Sequence, residues 1–458
     1  MSDDLASWLE GFGLDPIDDV DQVAGRFLRH CRRQAAALRR ARSARVDRAL
    51  FADRRALAAE LADVADTALL RTARLADPAG ALANAWDRAH RLLGDDPIAA
   101  RAQVARTAAE ALDDVCGELF AECFRRRGRW LLAPGEPYPP HAPDLVKLFG
   151  RELITHPASR GDDDVDRTPR LALAPDSGGL EVEISFANVH ALTPPTADAK
   201  VAVILPLATP TTELTWDDVP GAAVRSFFNV RPRDPAAVAE RICGLLDEAI
   251  ARGATIAVLP ELCLDVAGVD RVRLHLAARG WPLELVAAGS VHTWQGGAPV
   301  NLATVMLRGG AEVTHTKFNP FTSPILGEEA IRTSPARVSI HVVADDRGRP
   351  AWSYALLICK DLLSRFARDA LAELRPGLIL VPAWSGKTTS FELDIHGLIG
   401  ATQSAVVLAN QADPGDEDGA SVVVVARPTR TETVTVVRRG DVKPPQCLVF
   451  HLGTGAVE

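Results

Sequence analysis

From about residue 197 the chain repeats one grammar: an apolar run of strand length, an amphipathic stretch, then another apolar run. KVAVILPLA and TIAVLPEL read as buried strands. Between them AAVAERICGLLDEAIARG reads as a helix ended by Gly253. LELVAAGSVH, LATVMLRG, AEVTHTKF, SYALLICKDL, GLILVPAW, AVVLANQ and SVVVVAR continue the series as further strands. Apolar strands interleaved with helices predict an α/β layer fold for residues 197–458.

The chain before that point is written differently. Residues 1–130 are expected to form an all-helical domain. Leu50, Leu57, Leu61, Val64 and Ala68 share one helical face, and so do Val104, Ala108, Leu112, Val115, Leu119 and Cys123. Asp96 and Pro97 supply a start signal for the second of these helices. Cys116 and Cys123 read as core. Two basic runs, 31–45 and 124–130, suit either a solvated helix face or a contact surface for nucleic acid or an acidic partner. Residues 131–196 are rich in proline and acid and read as a linker, with a hairpin expected from RLALAP and LEVEISFANV.

Composition bounds the function classes. A chain of 458 residues suits two domains, and 47% apolar residues are enough for a stable core. A net charge of −9 argues against a protein organised wholly around a nucleic-acid backbone. No apolar run is long enough to span a membrane, and the acidic start MSDDLASWLEGFG lacks a signal peptide's pattern, so a cytoplasmic protein is expected. Seven scattered cysteines without a CxxC pair fit reduced thiols, and no metal site is expected. With no GxxxxGKS loop and no strand-linked GxGxxG, no cofactor is expected either.

Three reactive side chains stand at strand ends in the C-terminal half: Glu261 after TIAVLP, Lys317 after AEVTHT and Cys359 after SYALLI. Singly, each has a plain reading as a solvated acid, a solvated base or a core thiol. Open α/β sheets, however, bring function to the carboxyl ends of their strands. A thiol, a carboxylate and an ammonium that meet there form a working set for acyl transfer. The thiolate attacks, the carboxylate carries the proton, and the ammonium holds the oxyanion.

Those residues lie in segments that resemble the nitrilase, or carbon–nitrogen hydrolase, superfamily. GATIAVLPEL (253–262) is similar to the segment of the family's glutamate base, and THTKFNPF (314–321) to that of its lysine. LLICKDLLSRFARDALAELRPGLILVPAWS (356–385) is similar to the nucleophile segment and the strand after it. PVNLATVML and ATQSAVVLANQA add weaker matches, and the resemblance covers about 197–430. It implies an α-β-β-α sandwich whose members commonly pair into dimers. It also implies Cys359 as nucleophile, Glu261 as base, Lys317 as oxyanion ligand and the Lys360 N–H as second oxyanion donor. A further glutamate after the lysine would be Glu328 or Glu329, and Glu329 is preferred. Asp361 is expected to order the turn rather than take part in the chemistry.

The sequence departs from the pattern at Lys360, Phe318 and Asn319, and Arg365–Phe366 is displaced by one position. The Lys360 side chain could lower the thiol pKa, bind an anionic substrate or simply face solvent. Trp384 suits a substrate-pocket wall and core packing equally. His315 shares a strand face with Lys317 but reads as structural, Cys263 reads as packing, and His292 shows no ligand spacing.

Two functions are expected to compete. In one, the chain is a cysteine amidohydrolase acting on a small-molecule amide, as a homodimer or higher oligomer. In the other, it is an effector or regulatory subunit of a multi-protein system, for example in defence. The helical domain would then dock a protein or nucleic-acid partner.

Overall fold

The computed structural model describes residues 129–132, 137–138, 172–173, 178–186 and, with short breaks, 192–457. The helices expected within residues 1–128 lie outside the described residues. Strands are numbered β1–β20 and helices α1–α5 in chain order. The chain divides into two compact units, with 177–458 in the second. The first contributes β1 (Arg129–Leu132) and an antiparallel pair of β2 (Pro137–Tyr138) with β3 (Ala172–Leu173).

The second unit is built on two mixed sheets. One runs in the order β4 (Glu181–Phe186), β14 (Arg337–Ala344), β15 (Pro350–Leu356), β16 (Leu378–Trp384), β17 (Ala405–Gln411), β18 (Val422–Pro428) and β19 (Thr433–Arg438). The other runs β11 (Glu312–Thr316), β10 (Ala298–Leu307), β9 (Leu285–Gln295), β8 (Ile256–Val258), β5 (Lys200–Leu205) and β20 (Gln446–His451). Their central strands meet, β16 and β17 lying against β5, β8 and β9. Ile204, Val258, Leu380, Val381 and Leu408 are buried in these strands. Each such side chain contributes roughly 1.5–3 kcal/mol of burial energy, which is why the runs read as continuous apolar strands.

Helices cover both sheets. α2 (Pro235–Ala251) and α3 (Val266–Ala278) pack on the β20–β5–β8–β9 side. α4 (Arg365–Leu374) and α5 (Thr389–Thr402) pack on the other sheet. Local chemistry sets their ends. Asp234 caps α2 through the Ala237 N–H with Pro235 in the first turn, and Gly253 follows the last turn at φ 77°. Asp265 caps α3 and Ser364 caps α4 in the same way. Among the described residues no helix is long and apolar enough to cross a membrane.

A smaller sheet is added at the site end: β12 (Thr322–Ser323), β13 (Gly327–Glu329), β7 (Ser226–Pro232) and β6 (Leu214–Asp218), with the short α1 (Pro210–Glu213) before it. Its β7 lies against β9.

One expectation is corrected here. RLALAP and LEVEISFANV do not form a hairpin. Ala172–Leu173 pairs with Pro137–Tyr138, while Glu181–Phe186 runs parallel to β14 inside the large sheet. Alternation shows that a segment has an inner and an outer face, but it does not choose the partner. Here Val182 and Ile184 are buried, while Arg337 at the start of β14 bonds Glu181 and Glu183 on the other face.

Candidate active site

Glu261, Lys317 and Cys359 are brought together, and all three are almost wholly buried. Each follows the end of a strand by one to three residues: Glu261 after β8, Lys317 after β11 and Cys359 after β15. Lys317 Nζ donates to Glu261 Oε1 at 2.7 Å and to Glu329 Oε2 at 2.6 Å. Glu329 therefore brings its carboxylate into the cluster. Glu328, its neighbour on β13, pairs in register with Thr322 and Ser226 and has no bond to Lys317.

Backbone geometry aims the groups. Cys359 sits at φ 49° at the head of a tight turn, Cys359–Asp361, directly after an extended Ile358. A left-handed cysteine costs about 1–2 kcal/mol, and the buried surroundings must hold it there. Asp361 is what holds the turn. Its Oδ1 accepts the Phe318 and Asn319 N–H groups, and its Oδ2 accepts the Ile358 N–H and bonds His315 Nε2. One buried carboxylate thus ties the Cys359 turn to the chain just after Lys317. Asn319 adds a bond to the Lys360 carbonyl at 2.7 Å. His315 serves this clamp and bonds no member of the Glu–Lys–Cys group.

Two glycines allow the close approaches the glutamates need. A Cβ on Gly289 would lie 2.2 Å from the Pro260 carbonyl oxygen, so the chain before Glu261 can pass β9 only over a glycine. A Cβ on Gly327 would lie 2.0 Å from the Arg225 carbonyl oxygen, so β13 needs its glycine to reach β7 and deliver Glu329.

Trp384 touches the site through its main chain. Its N–H donates to Glu261 Oε2 at 3.1 Å, and its carbonyl accepts the Cys359 thiol at 3.9 Å. The indole packs, partly buried, against the core between helices and sheet. Lys360 is half-buried beside Cys359.

Two residues that sequence reasoning passed over complete the cluster. Asn301 on β10 uses its Nδ2 to bridge Glu261 Oε1 at 2.9 Å and Glu329 Oε1 at 2.8 Å. His292 on β9, paired with Asn301 across the ladder, bonds Glu329 through Nε2 at 2.9 Å. The legible signal was a pair of buried polar residues, side by side on two adjacent strands. Register is needed to see it.

Counting acceptor sites separates the two glutamates. Glu329 receives His292 and Asn301 on Oε1, and Lys317 and the Phe321 N–H on Oε2. A carboxylate has about four lone-pair sites, so Glu329 is saturated. Glu261 receives Lys317 and Asn301 on Oε1 but only the Trp384 N–H on Oε2, and it also faces the Cys359 thiol. Of the two, only Glu261 has an open acceptor site, on Oε2, and its carboxyl interacts with the Cys359 thiol.

The electrostatics agree. Burial pushes Glu261 upward and the Glu329 charge adds to it, against the pull of Lys317. Burial opposes ionisation of Glu329 too, but Lys317 and His292 outweigh it and hold that carboxyl well below its ordinary range. Lys317 is held charged: burial works against the ammonium, and Glu261 and Glu329 overcome it. Burial, with Glu261 beside it, pushes the Cys359 thiol well up, so the resting sulfur keeps its proton.

No family model and no curated protein matches this chain. Solved structures do resemble it. An amidase from Nesterenkonia sp. is 16% identical, with 55% of this chain and 89% of that one covered at a TM-score of 0.39. A glutamine-dependent NAD+ synthetase from Acinetobacter baumannii is 13% identical, with 55% of this chain and 45% of that one covered at 0.38. Other matching structures are variants of a Nesterenkonia AN1 amidase from the nitrilase superfamily, also 16% identical. The solved structures this chain resembles thus include amidases of the nitrilase superfamily and an NAD+ synthetase.

Proposed function

We propose that this chain is a carbon–nitrogen hydrolase that cleaves a small amide through a thioester on Cys359. One observation carries the reading. A buried thiol interacts with a carboxyl group that keeps an acceptor site open on one oxygen and bonds a charged lysine with the other.

The chemistry follows from the protonation states. The resting thiol is no nucleophile, so its proton must leave as the sulfur attacks. Glu261 takes that proton on its open Oε2, and its upward-shifted pKa makes it a stronger base than an exposed carboxylate. The sulfur bonds to the carboxamide carbon, and the carbonyl electrons move onto oxygen. Lys317 Nζ and the Lys360 N–H receive that oxyanion. Lys360 follows the nucleophile in a tight turn, whose first N–H groups have no acceptor within the turn. Glu261 then gives its proton to the leaving nitrogen, the carbon–nitrogen bond breaks, and ammonia or an amine departs. Water, deprotonated by Glu261, attacks the thioester. The acid leaves and the sulfur regains its proton. Glu329 stays ionised throughout and holds Lys317, with no open site for a proton.

The test is intact-protein mass spectrometry after exposure to iodoacetamide and to a panel of simple amides. Wild type is compared with Cys359→Ala and Glu261→Gln. The expected result is one fast modification in wild type, absent in Cys359→Ala and slowed at least about tenfold in Glu261→Gln. An acyl adduct from one of the amides would begin to name the substrate. The proposal fails if Cys359 reacts no faster than the other thiols and no adduct forms.

A further inference from the structure

His292 takes no direct part in this chemistry, yet both of its ring nitrogens are committed at the site. Its Nδ1 accepts the Val230 N–H at 3.0 Å. A backbone amide has only a hydrogen to offer, so Nδ1 carries no proton and the ring is the Nε2–H tautomer. That N–H donates to Glu329 Oε1 at 2.9 Å. Phe228 stacks on the ring at 4.7 Å, with 19° between the planes, and Phe227 lies 6.5 Å away. The imidazole has no exposed side-chain surface. Its position and its tautomer are both set by β7.

We propose that His292 is a positioning residue: its Nε2–H, fixed by Val230, aims the Glu329 carboxylate so that Lys317 is shared between the two glutamates and Glu261 stays available as a base. The proposal rests on the reading of Glu261 given above. Lys317 divides its bonds almost evenly, 2.7 Å to Glu261 and 2.6 Å to Glu329. Without the imidazole, Asn301 alone would hold Glu329 Oε1. Held by three donors instead of four, the carboxylate would shift, and the ammonium would close further on Glu261. A carboxylate drawn closer to a cation is a weaker base. The titratable groups around this contact are Glu329 from β13, Lys317 after β11 and Glu261 after β8. The other residues against the ring, from β7 and β10, do not titrate.

Two substitutions separate positioning from simple packing. A glutamine amide reaches about as far as Nε2 and keeps the donor to Glu329. An asparagine amide reaches about as far as Nδ1 and keeps the acceptor for Val230. The readout is the rate at which iodoacetamide alkylates Cys359 in the whole protein, followed between about pH 5 and about pH 9. His292→Asn is expected to slow alkylation near neutrality about tenfold or more. It also moves the acid limb of the profile to lower pH, because a more tightly paired Glu261 has a lower pKa. His292→Gln recovers most of the rate. In a Glu329→Gln background, His292→Asn adds little, since both act through one contact.

The inference is overturned if His292→Asn matches wild type, if His292→Gln loses as much as His292→Asn, or if the rate drops without any shift of the limb. His292 would then only pin β7 to β9. A wild-type protein with no fast, Glu261-dependent alkylation overturns the proposed function, and the inference with it.

Discussion

Lys317→Met keeps most of the side chain's volume and removes its charge, which isolates what the ammonium does for the fold. In the native site the two carboxylates that flank it are at most 3% exposed. The substitution deletes bonds of 2.7 and 2.6 Å and leaves both acids buried without a cation. Breaking a buried ion pair from one side costs roughly 3–5 kcal/mol. For a domain of this size a kilocalorie corresponds to about 2–4 °C, so the melting temperature near neutrality is expected to fall by roughly 6–20 °C.

The pH dependence gives the sharper check. In wild type Glu329 is held below its ordinary value. Its contribution is therefore full above about pH 4.3 and is lost only as pH falls further. Lys317 is held above its ordinary value, so its contribution is full below about pH 10.4. Wild-type stability from these two groups is thus flat between about pH 5 and about pH 8. Glu261, already raised in wild type, is raised further in the variant, because two buried like charges then face each other without a cation. A raised acid destabilises above its unfolded pKa and is relieved as it takes up a proton. The deficit should therefore be larger at about pH 8 than at about pH 5. Thermal unfolding of both proteins at the two pH values measures it. A deficit under about 1 kcal/mol, or one equal at both pH values, would refute the claim that Lys317 compensates two buried carboxylates.

Gly327→Ala forces a Cβ to 2.0 Å from the Arg225 carbonyl at φ 90°, so β13 must shift and carry Glu329 away from Lys317. A stability loss of about 2 kcal/mol or more, together with slowed Cys359 alkylation, is expected; labelling kinetics and a thermal melt check it. Asp361→Asn replaces one acceptor oxygen with an NH2 group, which cannot accept from the N–H donors that face it. It should cost roughly 2–3 kcal/mol in a denaturant titration and loosen the turn that starts at Cys359, read as slower alkylation of that thiol.

Much of the C-terminal unit was legible in the chain because its signals are local. A run such as GLILVPAW is apolar wherever it lies, and burial on both faces makes it a central strand, β16. Helix α2 (Pro235–Ala251) carries its own stripe, with its cap at Asp234 before it and its terminating glycine at Gly253 after it. Glu261, Lys317 and Cys359 could be singled out because each ends such a run.

What the sequence alone determined, then, was the order of strands and helices from residue 197 and three reactive side chains at strand ends. Partners were decided by tertiary structure. LEVEISFANV alternates as a hairpin arm would, yet parallel pairing with β14 satisfies its charges and buries Val182 and Ile184. Glu328 and Glu329 are neighbours in sequence, and successive strand residues point to opposite faces, so only the register of β13 on β7 selects which one meets Lys317. His292 and Asn301 lie on strands with no reactive signature. They become part of the site because the ladder sets them opposite each other, with their donors on the same carboxylate. Side-chain type and spacing are properties of a segment, but hydrogen-bond donors and acceptors find each other only when segments distant in sequence are packed at a definite register.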